Sequence, residues 1–155
     1  DAMYKLIAVA TIACFFNSSA LACGESLYRV GKGIVYREYT APLPGNILLV
    51  AETDAEKMLA DALQRAGHNV RVVASADEVG STLNYADFDI VLSRYQYRRS
   101  IESAIADDVQ YLPVARHGTD EVKLAKTQYQ RALKDTDHIK RFLIQIHRTL
   151  KTQKA

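Results

Sequence analysis

The sequence predicts an α/β domain built on a parallel sheet, with a β-hairpin ahead of it and an export segment ahead of the hairpin. Three observations predict it. From Asn46 onward, short runs of β-forming apolar residues alternate with stretches of helical periodicity. The first run, Asn46 to Ala51 (NILLVA), is apolar throughout, as expected of a strand covered on both faces. The stretches that follow the first two runs open on capping pairs, Thr53 with Glu56 and Ser75 with Glu78. Strand–helix–strand units of this kind cross over right-handed and lay their strands parallel.

The composition fits a packed domain. The 155 residues are 48% hydrophobic and 25% charged, with a formal net charge of +2. That balance excludes a general polyanion-binding surface, so no nucleic-acid partner is expected.

Asp1 and Ala2 precede a start at Met3 and read as a cloning remnant. Residues 3–22 have the order of a signal peptide: Lys5, the uncharged apolar run Leu6 to Phe16, polar Asn17 to Ser19, then Ala20-Leu21-Ala22 as a cleavage site. The run is shorter than the ~20 residues that span a bilayer. A periplasmic or secreted protein is therefore expected. Cleavage after Ala22 would expose Cys23, the residue that bacterial lipoproteins acylate, but Ala20 stands where such signals carry Leu. Lipidation of Cys23 is the alternative to a soluble product, and membrane attachment is expected only with it. With Cys14 inside the signal, the mature chain keeps one cysteine and cannot form an internal disulfide.

Residues 23–45 form a hairpin and linker. Ser26 to Tyr39 is rich in β-formers around Gly31-Lys32-Gly33, which suits a tight turn, and Thr40 to Gly45 is a connector stiffened by Pro42 and Pro44. Gly-Lys-Gly is too short for a phosphate loop.

Residues 46–155 form the domain. After the first strand, a helix from Thr53 carries Met58, Leu59, Ala62, Leu63 and Ala66 on one face and stops at Gly67. Val70 to Ala74 is the second strand, and Ser75 opens a short helix. Phe88 to Ser93 is the third strand, and Ser100 to Ala106 a weaker helix. Val109 to Ala115 is the fourth strand, with Pro113 expected near its end. Thr119 to Thr127 is helical, Tyr129 to Leu133 a short fifth strand. Asp137 to Lys151 is an amphipathic helix with Ile139, Phe142, Leu143, Ile146 and Leu150 inward.

This spacing of runs, with its landmark residues, resembles the receiver domain of bacterial response regulators over Asn46 to Leu150. The resemblance implies a doubly wound, five-stranded, flavodoxin-like sheet of order 2-1-3-4-5. It also implies that the phosphorylation chemistry is missing. Receivers end the first strand with two acidic residues that hold Mg²⁺; here these are Ala51 and Glu52. The phosphoacceptor Asp that ends the third strand matches Arg94, and the Ser or Thr ending the fourth matches Ala115. The Lys after the fifth strand matches Lys134, but the Pro that follows it in the family is Asp135. Arg94 is a fixed cation with no nucleophilic lone pair, so aspartyl chemistry is not expected. A charge pair between Arg94 and Glu52 is expected in its place, locking a pseudo-receiver in one state.

Ligands of open α/β sheets bind at the carboxyl ends of the strands. Arg94, Tyr97, Arg98, Arg99, Arg116 and Lys134 gather there in sequence order and are the candidates for binding a phosphate, carboxylate or acidic peptide. The blander reading, a solvated loop paired with Glu52, Asp107, Asp108 and Asp120, is the favoured explanation of these residues. No nucleophile–base motif appears, the four histidines are too scattered for a metal site and read as surface residues, and no cofactor is expected. The expected function is a non-catalytic exported interaction module with a protein partner or a second copy of itself. Tyr129, Ile139, Phe142 and Ile146 are candidates for that contact. The alternative is a small protein for anionic ligands.

Overall fold

A computed structural model describes residues 27–30, 34–37 and 41–153. The expected signal segment, Cys23 and the expected turn at Gly31 to Gly33 lie outside the described residues. The chain divides into two units, Asp1–Glu38 and Tyr39–Ala155. In the first, β1 (Leu27–Val30) pairs antiparallel with β2 (Ile34–Arg37), Val30 opposite Ile34, which is the expected hairpin.

The second unit alternates β3 (Asn46–Val50), α1 (Asp54–Arg65), β4 (Asn69–Val73), α2 (Glu78–Leu83), β5 (Ile90–Arg94), α3 (Arg98–Ala104), β6 (Gln110–Ala115), α4 (Glu121–Gln128), β7 (Leu133–Lys134) and α5 (Ile139–Gln153). A 3-10 turn, Tyr95–Tyr97, joins β5 to α3. The five strands are all parallel, in the order β4-β3-β5-β6-β7, as the sequence leads one to expect.

The apolar run of β3 serves two cores at once. Ile47 and Leu49 point to one face, where they meet Leu63 of α1 and Phe142, Ile146 and Leu150 of α5. Leu48 and Val50 point to the other, against Val79 of α2 and Ile101 of α3. β5 divides in the same way, Ile90 and Leu92 to the first face and Val91 to the second. Two covered faces remove the polar alternation of a half-solvated strand.

α1 ends in a Schellman motif. Gly67 takes φ +99°, its N–H donates to the Gln64 carbonyl at 2.9 Å, and the His68 N–H donates to Leu63 at 3.2 Å. His68 is then turned inward, only 5% exposed, with Nδ1 accepting from the Gly45 N–H at 3.2 Å. The surface position expected of it is therefore wrong. Burial pushes its imidazole below the usual histidine range, toward the neutral form that this bond requires.

Several boundaries move. The second helix starts at Glu78 behind Asp77, and Ser75 only touches the Glu78 carboxylate at 3.4 Å. Pro113 lies inside β6, opposite Ser93. β7 begins pairing only at Val114, so at Pro113 the strand has a neighbour on one side and a donor can be missing. The expected fifth strand at Tyr129 to Leu133 reduces to Leu133–Lys134. Tyr129 instead ends α4 and turns its ring between Tyr95 and Tyr111. Phe142 and Ile146, candidates for partner contact, are 3% and 0% exposed and belong to the core.

Candidate functional site

The site stands at the carboxyl edge, where β3 and β5 leave the sheet and their connections part to opposite faces. β3 delivers Glu52 one residue after the buried Ala51, and Thr53 caps α1 with Glu56 as the partner of its capping box. Glu56 Oε2 accepts from the Glu52 N–H, the Thr53 N–H and the Thr53 hydroxyl, at 2.8, 2.8 and 2.9 Å. Its other oxygen faces β5. There Arg94, the last residue of the strand, donates Nε to Glu56 Oε1 at 2.6 Å.

The expected pair with Glu52 is the secondary contact, Arg94 Nη1 standing 3.7 Å from Glu52 Oε2. Glu52 also accepts the Tyr97 hydroxyl at 2.5 Å. The guanidinium is thus held chiefly by the capping residue of α1. The signal for this was in the sequence: Glu56 lies one helical turn beyond Glu52 at the helix N-terminus, where a carboxylate is favoured.

The electrostatics follow from the contacts. Burial works to raise the Glu56 carboxyl, but the bonds from Arg94 and Thr53 and the Arg94 charge outweigh it and leave it below the usual carboxylate range. The bond to Glu56 raises Arg94 above its already high value. The bond to Glu52, with some burial, raises the Tyr97 phenol.

Arg94 is also tied through its main chain. Its carbonyl accepts from Tyr111 Oη at 3.1 Å and from Ser93 Oγ at 3.2 Å. Burial pushes the Tyr111 phenol up to about 12, so it stays a donor. Tyr111 and Tyr129 meet edge to face at 5.5 Å, as do Tyr95 and Tyr129 at 6.2 Å. Tyr129 donates its hydroxyl to Glu102, and Tyr95 donates to Gln128 at 2.6 Å. The tyrosine cluster was not anticipated, because its members are far apart in the chain and none lies in a recognisable motif.

Of the residues expected to bind an anion, Arg94 and Tyr97 come together with Glu52. Arg98 lies over the Tyr95 ring, 4.5 Å from its centroid. Arg99 is exposed on the first turn of α3. Lys134 closes β7, its N–H donating to Asp137 at 2.8 Å. Arg116 follows β6 and lines a groove of about 490 Å³ between the starts of α1 and α5. The same groove has Glu56, Glu121, Asp135 and Asp137 on its walls, so carboxylates outnumber guanidiniums there and an anion is disfavoured. Among the described residues, no group of three or more His, Cys, Asp or Glu could hold a metal, and no helix is long and apolar enough to cross a membrane.

No family model and no curated protein matches the chain. Solved structures do match. The signal receiver domain of a LuxO repressor protein from Vibrio parahaemolyticus is similar with a TM-score of 0.58 at 12% identity, over 72% of this chain and 94% of that one. The N-terminal domain of a response regulator/sensory box/GGDEF three-domain protein from Carboxydothermus hydrogenoformans gives 0.55 at 13%, over 70% and 96%. NtrX from Brucella abortus, solved in complex with ADP, gives 0.62 at 19%, over 72% of this chain but 27% of that one. The likeness shows the fold, which is receiver-like.

Proposed function

We propose that the protein is a non-catalytic receiver-like interaction module that works outside the cytoplasm. One observation carries the non-catalytic part: Arg94 ends β5, where a receiver carries its phosphoacceptor carboxylate, and its guanidinium is clasped by Glu56 at 2.6 Å. A cation so placed neither attacks a phosphoryl group nor leaves room for Mg²⁺ beside Glu52. Incubation with acetyl phosphate and Mg²⁺ is expected to leave the intact mass unchanged. A hydroxylamine-labile gain of one phosphoryl group would refute this reading.

Export is supported by the sequence of residues 3–22, with its basic, apolar and cleavage regions in order. Expressed from Met3 in a Gram-negative host, the protein is expected in the periplasm, processed before Cys23. Full-length protein confined to the cytoplasm would count against it. Cys23→Ser separates the two products: an acylated form loses its membrane attachment, and a soluble form is unaffected.

A further inference from the structure

The groove between α1 and α5 combines an apolar floor with an acidic wall. Leu59, Val114 and Phe142 line it, and Met58 stands at its rim with 70% of its surface in water. Met58 lies on the stripe of α1 expected to be buried, yet it is the most exposed residue of that stripe. An unbranched, polarizable side chain at the edge of a groove suits contact with a variable partner.

The charges on the wall divide unevenly. Glu56 is held by Arg94, and Asp137 by Arg141 at 3.3 Å. Glu121 and Asp135 make no ion pair among the described residues. Each is instead anchored by one oxygen on a backbone N–H, Glu121 from Arg116 at 3.1 Å and Asp135 from His117 at 2.8 Å. The second oxygen of each remains for an outside donor. Of the groove's cations only Arg116 is then unmatched, and its side chain is exposed.

We propose that this groove docks a basic segment of a protein partner, a lysine or arginine stem lying along Met58 and Leu59 with its cationic head at Asp135 and Glu121. Long basic side chains have the amphipathic form that an apolar floor ending in carboxylates requires. The proposal rests on the interaction-module reading and extends it to a class of partner. A volume of about 490 Å³ accommodates one or two such side chains.

The test is a titration of the isotope-labelled full chain with a short Lys/Leu peptide and with its Glu/Leu counterpart, followed by amide chemical shifts. The Lys/Leu peptide is expected to move the amides of Glu121, Asp135 and the first two turns of α1, and the Glu/Leu peptide to leave them in place. The double variant Glu121→Gln/Asp135→Asn keeps the acceptors for the backbone bonds and is expected to weaken binding by about tenfold, the scale of a lost charge-assisted contact. Met58→Ala, at an exposed position, is expected to weaken it by about threefold through lost apolar contact. Equal binding of both peptides, no shift with either, or full displacement by equimolar 1,5-diaminopentane would overturn the proposal. The acetyl phosphate experiment reads a different quantity, so a failure here leaves the non-catalytic reading standing.

Discussion

Arg94→Asp is expected to destabilise the domain by about 2–4 kcal/mol, and Arg94→Ala by about 1–3 kcal/mol, between the scales for exposed and buried ion pairs. Arg94 and Glu56 have side chains 30% and 19% exposed, so the pair is neither free in water nor dry. Alanine removes the 2.6 Å bond but leaves Glu56 its bonds from Glu52 and Thr53, which limits the loss. Aspartate does more, because a third carboxylate would then face Glu52 and Glu56 with no cation between them.

The pH dependence should change sign as well. In the wild type the folded Glu56 carboxyl titrates below its ordinary 4.5, so its contribution is present above that pH and fades as the pH falls through the folded value. In Arg94→Asp the crowded carboxylates titrate above their unfolded values, so the folded state binds more protons and the variant gains stability on acidification. Urea midpoints from pH 7 to pH 3 would show the two trends running in opposite directions. A variant that unfolds at the wild-type midpoint at pH 7 would mean that the guanidinium contributes nothing to the fold.

Gly45→Ala is expected to cost about 1–3 kcal/mol, the range for overpacking a core. A Cβ at Gly45 would stand 2.7 and 2.8 Å from the two methyl carbons of Leu150, a side chain with 0% exposure. The backbone cannot retreat easily, because the Gly45 N–H donates to His68 and its carbonyl accepts from Asn69. Leu150→Ala alone should cost about 2–5 kcal/mol as a cavity. Adding Gly45→Ala to it should cost little, since the new methyl enters the space that Leu150 leaves. A thermal or urea double-mutant cycle measures that coupling. Strict additivity would show that the two residues do not compete for the same volume.

The fold was legible because its signals are local. The unbroken apolar run of β3, the Thr53–Glu56 cap and the stop at Gly67 each reflect physics within one element or its ends. Boundaries were harder where tertiary contacts overrule propensity. Tyr129 to Leu133 offers only a weak strand signal, and Tyr129 packs edge to face with two other rings instead. The same limit applies at the site. Glu52 was the natural partner for Arg94 by alignment of strand ends, whereas Glu56 reaches it because the cap turns the α1 carboxylate back over the edge of the sheet. His68 looked like one more surface histidine, and only the Schellman turn that precedes it explains its burial.

The shared carboxylate of Glu56 also bears on how the domain opens. A helix end ordinarily frays by itself, its first amides exchanging with solvent at little free-energy cost. Here the acceptor that holds the Glu52 and Thr53 amides is the same group that grips the tip of β5, and the carbonyl of that tip is fastened to Tyr111 on β6. Unwinding the first turn of α1 therefore releases the cation at the end of the central strand. The start of this helix is expected to open together with the central strands, and hydrogen exchange should find the Glu52 and Thr53 amides slower than helix-end amides ordinarily are.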